Sequence, residues 1–238
     1  MQDLRKDLRI RGWAIIKSKK INDIKKISKN LLNEIKKNSF LNKLINQNNV
    51  KNIEDMRKVA NHLDDDKLNL IRKLYLKNCS FDILKSFSIS IKSIFGKNIL
   101  VQKYPQIQIH IGYSNSTRTF PHSEIMAGHS PYTYNVWLPF HDIEDESGIF
   151  LIDDLTSVKL CDQEIRKKIQ SREKLLKKHH KFPKLKFGEA LLFNPFVYHG
   201  SNFFRSKRAR ISVDVRFQKF SDPLFQKYND FFTTLNIK

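Results

Sequence analysis

Around Gly96 the spacing of apolar residues changes, and that change limits the folds open to this chain. Upstream, INDIKKISKNLLNEIKK places Ile21, Ile24, Ile27, Leu31, Leu32 and Ile35 at helical spacing. IEDMRKVANHL, DKLNLIRKLYLKN and FDILKSFSISIKSIF continue the pattern, and only GWAIIKS, before them, reads as a short strand. From Ile99 the period becomes two. ILVQKY, QIQIHIGY, YTYNVWLPF, GIFLID, EALLFNP and ARISVDVRF are rich in Ile, Val, Phe and Tyr and are separated by turn residues. Helices followed by strands predict an α+β domain with an antiparallel core, and a barrel or jelly roll protects the edges of such a core. The expected layout is one domain over 1–238. It has a mainly helical part at 1–97, a β core at 98–220 with a basic helical insert near 161–181, and a C-terminal tail at 221–238.

The strands have two unlike faces. In the last one, Arg208, Arg210, Ser212, Asp214 and Arg216 alternate with Ala209, Ile211, Val213, Val215 and Phe217. Gln106, Gln108 and His110 alternate with isoleucines, and Thr133, Asn135 and Trp137 with Tyr134, Val136 and Leu138. The apolar faces should pack on the N-terminal helices. The polar faces should line a wet cavity.

Two stretches place metal-binding residue types near that cavity. His122-Ser-Glu124 lies on an extended segment, where residues i and i+2 share a side and can chelate together. His199, in VYHGS, follows a strand and precedes a turn marked by Gly200, and it is the best candidate for a third ligand. Two histidines and one carboxylate are the ligand set of non-haem Fe(II), with open positions left for a co-substrate and O2. A second match, His62-Leu-Asp64, lies in a helical pattern, where i and i+2 point about 200° apart and cannot share an ion. Eleven residues after His199 comes Arg210, with Ser212 beyond it. An arginine with a neighbouring hydroxyl can hold a carboxylate by a bidentate bridge, which suits the dicarboxylate 2-oxoglutarate.

On His122-Ser-Glu124, Trp137, GEALLFNPFVYHGS and Arg210-x-Ser212 the chain resembles the Fe(II)/2-oxoglutarate-dependent oxygenases, specifically their phytanoyl-CoA dioxygenase-like branch. The resemblance spans roughly 100–217 and implies a double-stranded β-helix core with helices on one sheet. It implies iron ligation by His122, Glu124 and His199. Arg210 would take the far carboxylate of 2-oxoglutarate, helped by Ser201 or Ser212, with Trp137 beside the co-substrate. Gln102, Lys103, Gln106 and Gln108 compete for a further contact, Gln108 being preferred, and Asn135 is a candidate hydrogen-bond donor. Glu124 stands where most members have aspartate. Because a carboxylate is retained, the resemblance points to hydroxylation or a related oxidation rather than halogenation. HSEIMAGHSPYTYNVWLPF also looks like oxygenases of bacterial carbohydrate-biosynthesis clusters, so the expected substrate is a small, polar, anionic metabolite such as a sugar or nucleotide-linked sugar.

Other residues have plainer readings. His129 is read as a loop cap, His110 as a structural or substrate-contacting histidine, and His141, His179 and His180 as solvent-facing. Arg208 or Arg216 is a candidate for a substrate anion, with Asp214 pairing between them. The net charge of +20 arises from 44 basic against 24 acidic residues spread along amphipathic segments, as on solvated faces. No nucleic-acid-reading motif accompanies it, so nucleic acid is not an expected partner. MQDLRKDLRIRGW lacks the pattern of a secretory leader, no apolar run spans a bilayer, and Cys79 and Cys161 read as reduced thiols. The expected location is cytoplasmic, with no membrane partner. Nothing in the pattern sets the oligomeric state. The rival reading is a catalytically inactive jelly-roll module that binds an acidic glycan or another anion.

Overall fold

The computed structural model describes residues 4–60, 62–74, 79–111, 119–201, 206, 208–225 and 229–237. Its helices are α1 (Leu4–Arg11), α2 (Ile21–Lys37), α3 (Ser39–Gln47), α4 (Ile53–Ala60), α5 (Asp65–Arg72), α6 (Cys79–Ser86), α7 (Ser88–Phe95), α8 (Asp154–Ile165) and α9 (Ile169–His179). Its strands are β1 (Trp13–Lys17), β2 (Asn98–Gln102), β3 (Gln106–His110), β4 (Tyr134–Pro139), β5 (Phe150–Leu151), β6 (Glu189–Phe193), β7 (His199–Gly200), β8 (Arg210–Lys219) and β9 (Phe232–Asn236). This is a mixed helix and antiparallel-sheet architecture. The larger sheet runs β1-β6-β4-β8-β2-β9, with β3 also paired to β8. The end of the expected QIQIHIGY strand, Gly112 and Tyr113, lies outside the described residues.

β8 organises the sheet. One edge pairs with β4 along Ser212–Phe217, and the other pairs first with β3 and then with β2. β2 and β3 form a broken line because Pro105, between them, has no N–H to give to a ladder. Opposite the break, the Arg216 N–H is satisfied by the Gln102 side chain at 3.1 Å. Ala209, just before β8, and the apolar residues of β8 from Ile211 through Phe217 are each fully buried, and they share one core cluster with Ile24, Leu31, Met56 and Ile83 from the helices. Fully burying an aliphatic or aromatic side chain contributes about 1.5–3 kcal/mol, so this face is a principal source of stability.

Three elements depart from the expected layout. The insert begins at Asp154 and is two helices, not one, because Lys167 turns the chain with φ +54 between them. The segment read as a tail includes β9, which pairs with β2 and buries Leu235 and Ile237. Gly200 is not a turn but part of β7, paired with β5. A Cβ on Gly200 would lie 3.0 Å from the Thr119 carbonyl and 3.2 Å from Pro121 Cα, so glycine allows the chain around 119–122 to lie against β7.

Candidate metal centre

That close approach assembles the centre. His122 and His199 exchange backbone hydrogen bonds of 3.0 and 2.8 Å as an antiparallel bridge, and the Ser201 N–H donates to the Thr119 carbonyl at 2.9 Å. Two distant segments thereby place their imidazoles side by side, with ring centroids 4.4 Å apart. Each ring is held by its Nδ1. In His122 that atom lies 2.8 Å from the Phe120 carbonyl, and in His199 it lies 2.9 Å from the Val197 carbonyl. A carbonyl only accepts, so each Nδ1 carries a proton, and Nε2 is the ring atom left to meet a metal. Glu124 turns in beside them at the start of the 124–128 turn, with Oε1 3.6 Å from His199 Nε2. One ligand atom from each of the three residues lies within 4.8 Å of the others.

The electrostatics suit a cation. Burial lowers the His199 ring to about 3, with His122 adding to the effect and Glu124 opposing it, so the imidazole is neutral near pH 7. Burial, the largest single influence, would raise the Glu124 carboxyl, but the charge and hydrogen bonds of Arg216, with His199 and His129, together hold the group well below the usual carboxylate range. Arg216 Nε donates to Oε2 at 2.9 Å and its Nη2 to Oε1 at 3.0 Å, while Asn135 Nδ2 donates to Oε1 at 2.7 Å. Neutral imidazoles and an ionised, oriented carboxylate are what Fe(II) requires of protein ligands. The residues present therefore fit the metal.

The centre opens into a cavity of about 430 Å³, also lined by Arg210, Trp137, Gln108, His110, Asp214 and Arg72. Arg210 is only 1% exposed, and burial lowers it to about 9, so it stays charged near pH 7. Its Nη1 donates to the Gly148 carbonyl, its Nη2 donates to His110 Nδ1 at 2.8 Å, and it lies 5.3 Å from the centre of the Trp137 ring. Burial first, then Arg210 and Arg72, keep His110 neutral, as its acceptor role demands. Ser212 shares this face of β8, and its buried Oγ has no partner among the described residues. Such an orphaned hydroxyl costs free energy unless a ligand meets it.

The other expected residues fall as follows. Gln108 hydrogen-bonds Asp214, whose carboxyl is raised to about 7 by burial against the opposing pull of Arg216. Asn135 lies behind Glu124, and Ser201 Oγ accepts from the Thr119 N–H at 2.8 Å. His129 Nε2 approaches Glu124 Oε2 at 3.5 Å. His62 is exposed and Asp64 caps α5, accepting from the Lys67 N–H at 2.9 Å. His141 is a correction: it is 3% exposed, because its Nε2 accepts from the Ile211 N–H and its Nδ1 donates to the Asp142 carbonyl. The Arg216–Glu124 pair, the Gly148 carbonyl and Arg72 escape sequence reasoning. The alternation of β8 does, however, signal that Arg216 shares a face with Arg210.

The architecture is shared with several solved structures. A non-heme monooxygenase, ThoJ, in its nickel complex matches with TM-score 0.60 at 12% identity, over 91% of this chain and 77% of that one. EctD from S. alaskensis with bound Fe matches at 0.59 and 12%, over 95% and 79%. Apo HygX from Streptomyces hygroscopicus matches at 0.54 and 11%, over 96% and 91%. The chain shares its fold with these three proteins. No family model and no curated protein sequence matches it.

Proposed function

We propose that this protein is an Fe(II)/2-oxoglutarate-dependent dioxygenase of the phytanoyl-CoA dioxygenase-like kind, built on a double-stranded β-helix core, that hydroxylates a small, polar, anionic metabolite. The observation that carries this reading is the convergence of two imidazoles, one carboxylate and one buried arginine on a single cavity. EctD, of the same fold, has also been solved with 2-oxoglutarate and 5-hydroxyectoine, which supports the cofactor assignment.

His122, Glu124 and His199 would hold Fe(II). Arg210, with the Ser212 hydroxyl, which has no partner among the described residues, would take the far carboxylate of 2-oxoglutarate. With O2, the iron and co-substrate supply the oxidising power to break a substrate C–H bond. The chain's own contribution is placement and dryness. Arg216 and Asn135 fix the Glu124 carboxylate. His110 and Gly148 aim the Arg210 guanidinium, and Trp137 closes its flat side. Arg72, half-buried in the cavity wall and with only neutral oxygen partners among the described residues, is the group we assign to the substrate's negative charge. The overall positive field would draw in such an anion, a sugar acid or nucleotide-linked sugar for example.

One observation favours the rival reading. Arg216 and Asn135 already satisfy the Glu124 carboxylate without a metal, as they would in an anion-binding module that has lost catalysis. Anaerobic titration with Fe(II) and 2-oxoglutarate, followed by visible absorbance, separates the two. A weak charge-transfer band that needs both additions and disappears in His199→Ala is the expected result. Absence of the band in the unmodified protein, with no calorimetric binding of 2-oxoglutarate, would overturn the oxygenase reading in favour of the module.

A further inference from the structure

A larger cavity, of about 1140 Å³, lies elsewhere and shares no lining residue with the metal cavity. One wall is α2 and the chain leading into α4. The other is the segment from Phe140 to Ser147, with Ser206 and Arg208 ahead of β8. The two cavities are close neighbours. Ser147 lines the larger one, Gly148 receives Arg210, and Ile149 lines the smaller one.

The charges of this cleft are unevenly matched. Its acidic groups are taken: Glu54 by Arg57 at 2.8 Å, and Asp142 and Glu144 by Lys186 at 3.2 and 3.6 Å. Glu146 is not free either. Its basic groups Lys25, Lys29, Lys51 and Arg208 are exposed, and none has an acidic partner among the described residues. Lys25 and Lys29 stand one helical turn apart, where like charges repel. Cations converging on a concave surface concentrate a positive potential there, and that potential is relieved by a multivalent anion. The lining also holds the apolar Leu32, Ile53, Phe140 and half-buried Phe187, beside the polar Ser28, Asn52 and His141. Cations together with these apolar groups match a ligand that is anionic at one end and flat and apolar at the other. The cavity exceeds the ~300 Å³ at the lower end for small-molecule sites, so there is room for both ends.

We propose that this cleft is a second ligand site, for a small phosphorylated molecule of the nucleoside diphosphate class. Its phosphates meet Lys25, Lys29, Lys51 and Arg208, and its ring system lies against the apolar lining residues beside Phe187. The site stands whether or not the neighbouring centre binds iron, because no residue is common to both.

Calorimetric titration of the full-length protein with ADP, in metal-free buffer of low ionic strength, tests this. Saturable binding at one site per chain is expected. Affinity should fall about tenfold or more in the Lys29→Ala/Arg208→Ala double variant, since each loses a charge-assisted contact. Both residues are exposed, so an unchanged melting temperature will show that the variant is folded. Pyrophosphate should bind more weakly than ADP, and His199→Ala should bind ADP as the unmodified protein does. No saturable heat at millimolar ADP, or equal affinity in the double variant, would overturn the site. So would binding lost in His199→Ala, which would put the nucleotide in the metal cavity. Pyrophosphate binding as tightly as ADP would remove the ring system and with it the nucleotide class.

Discussion

β8 carries two buried faces of opposite chemistry. Ala209, Ile211, Val213, Val215 and Phe217 enter the helical core, while Arg210, Ser212 and Arg216 lie on the opposite face, the two arginines lining the cavity, and are just as inaccessible, at 1%, 0% and 7% exposed. Strands buried on both faces are ordinarily continuous apolar runs. A charged face that turned to water would need no partners. This one is withdrawn from water, and each arginine has identified acceptors: Gly148 and His110 for Arg210, and Glu124 for Arg216. The apolar face gains free energy from area and tolerates some change of shape. The polar face costs desolvation, is kept only by matched geometry, and makes sense as the wall of a binding site.

The largest effect should follow from breaking a match on the polar face. Arg216→Leu leaves the Glu124 carboxylate buried without its cation and should cost about 3–5 kcal/mol in urea unfolding of the metal-free protein. Adding Glu124→Gln removes the stranded charge and should recover much of the loss. A double variant as unstable as the single one would mean that Arg216 acts through packing. On the opposite face, Ile211→Ala should cost about 2–5 kcal/mol by opening a cavity. Fe(II) and 2-oxoglutarate titrations of the folded fraction should nevertheless match the unmodified protein. A changed metal affinity in Ile211→Ala would show that the two faces are coupled and break the contrast. Smaller again, Asn135→Ala removes one of three hydrogen bonds that orient Glu124 and should weaken metal binding about 10–100-fold, as loss of a ligand's supporting partner does elsewhere. An unaltered affinity would show that Arg216 alone sets the carboxylate.

The contrast also explains what could be read from the chain. Period-two alternation separates Ile211 from Arg210 without any structure, so the strand and its two faces are legible. His122-Ser-Glu124 is legible because a local segment brings two ligands together. What pairs with the polar face is not legible. Gly148 meets Arg210, and Glu124 meets Arg216, across 62 and 92 residues of chain, and any residue supplies a carbonyl. Gln102 reaches Arg216 only because Pro105 interrupts the ladder, a tertiary consequence of a local rule. The burial of His141 is hidden from the sequence for the same reason. Its polar partners are backbone groups, and one of them, the Ile211 N–H, lies 70 residues away.

His141 tests the apolar side by pH. Burial, reinforced by Arg57, lowers its ring to about 3, against about 6.5 in the unfolded chain. The unfolded state therefore takes up the proton first, and the stability His141 contributes is complete above about pH 6.5 and is lost as pH falls toward about 3. From about pH 7.5 to about pH 5.5 that loss is about 1.4 kcal/mol, the smallest of these effects. His141→Gln keeps a neutral group at this position and lacks the titration, so its unfolding free energy should fall less over the same window. His110 titrates in the same direction beside Arg210 and is present in both proteins, so the difference isolates His141. Parallel pH profiles would mean that the His141 ring opens to water before the chain unfolds. The apolar face would then be less tightly sealed at its Ile211 end than its burial implies.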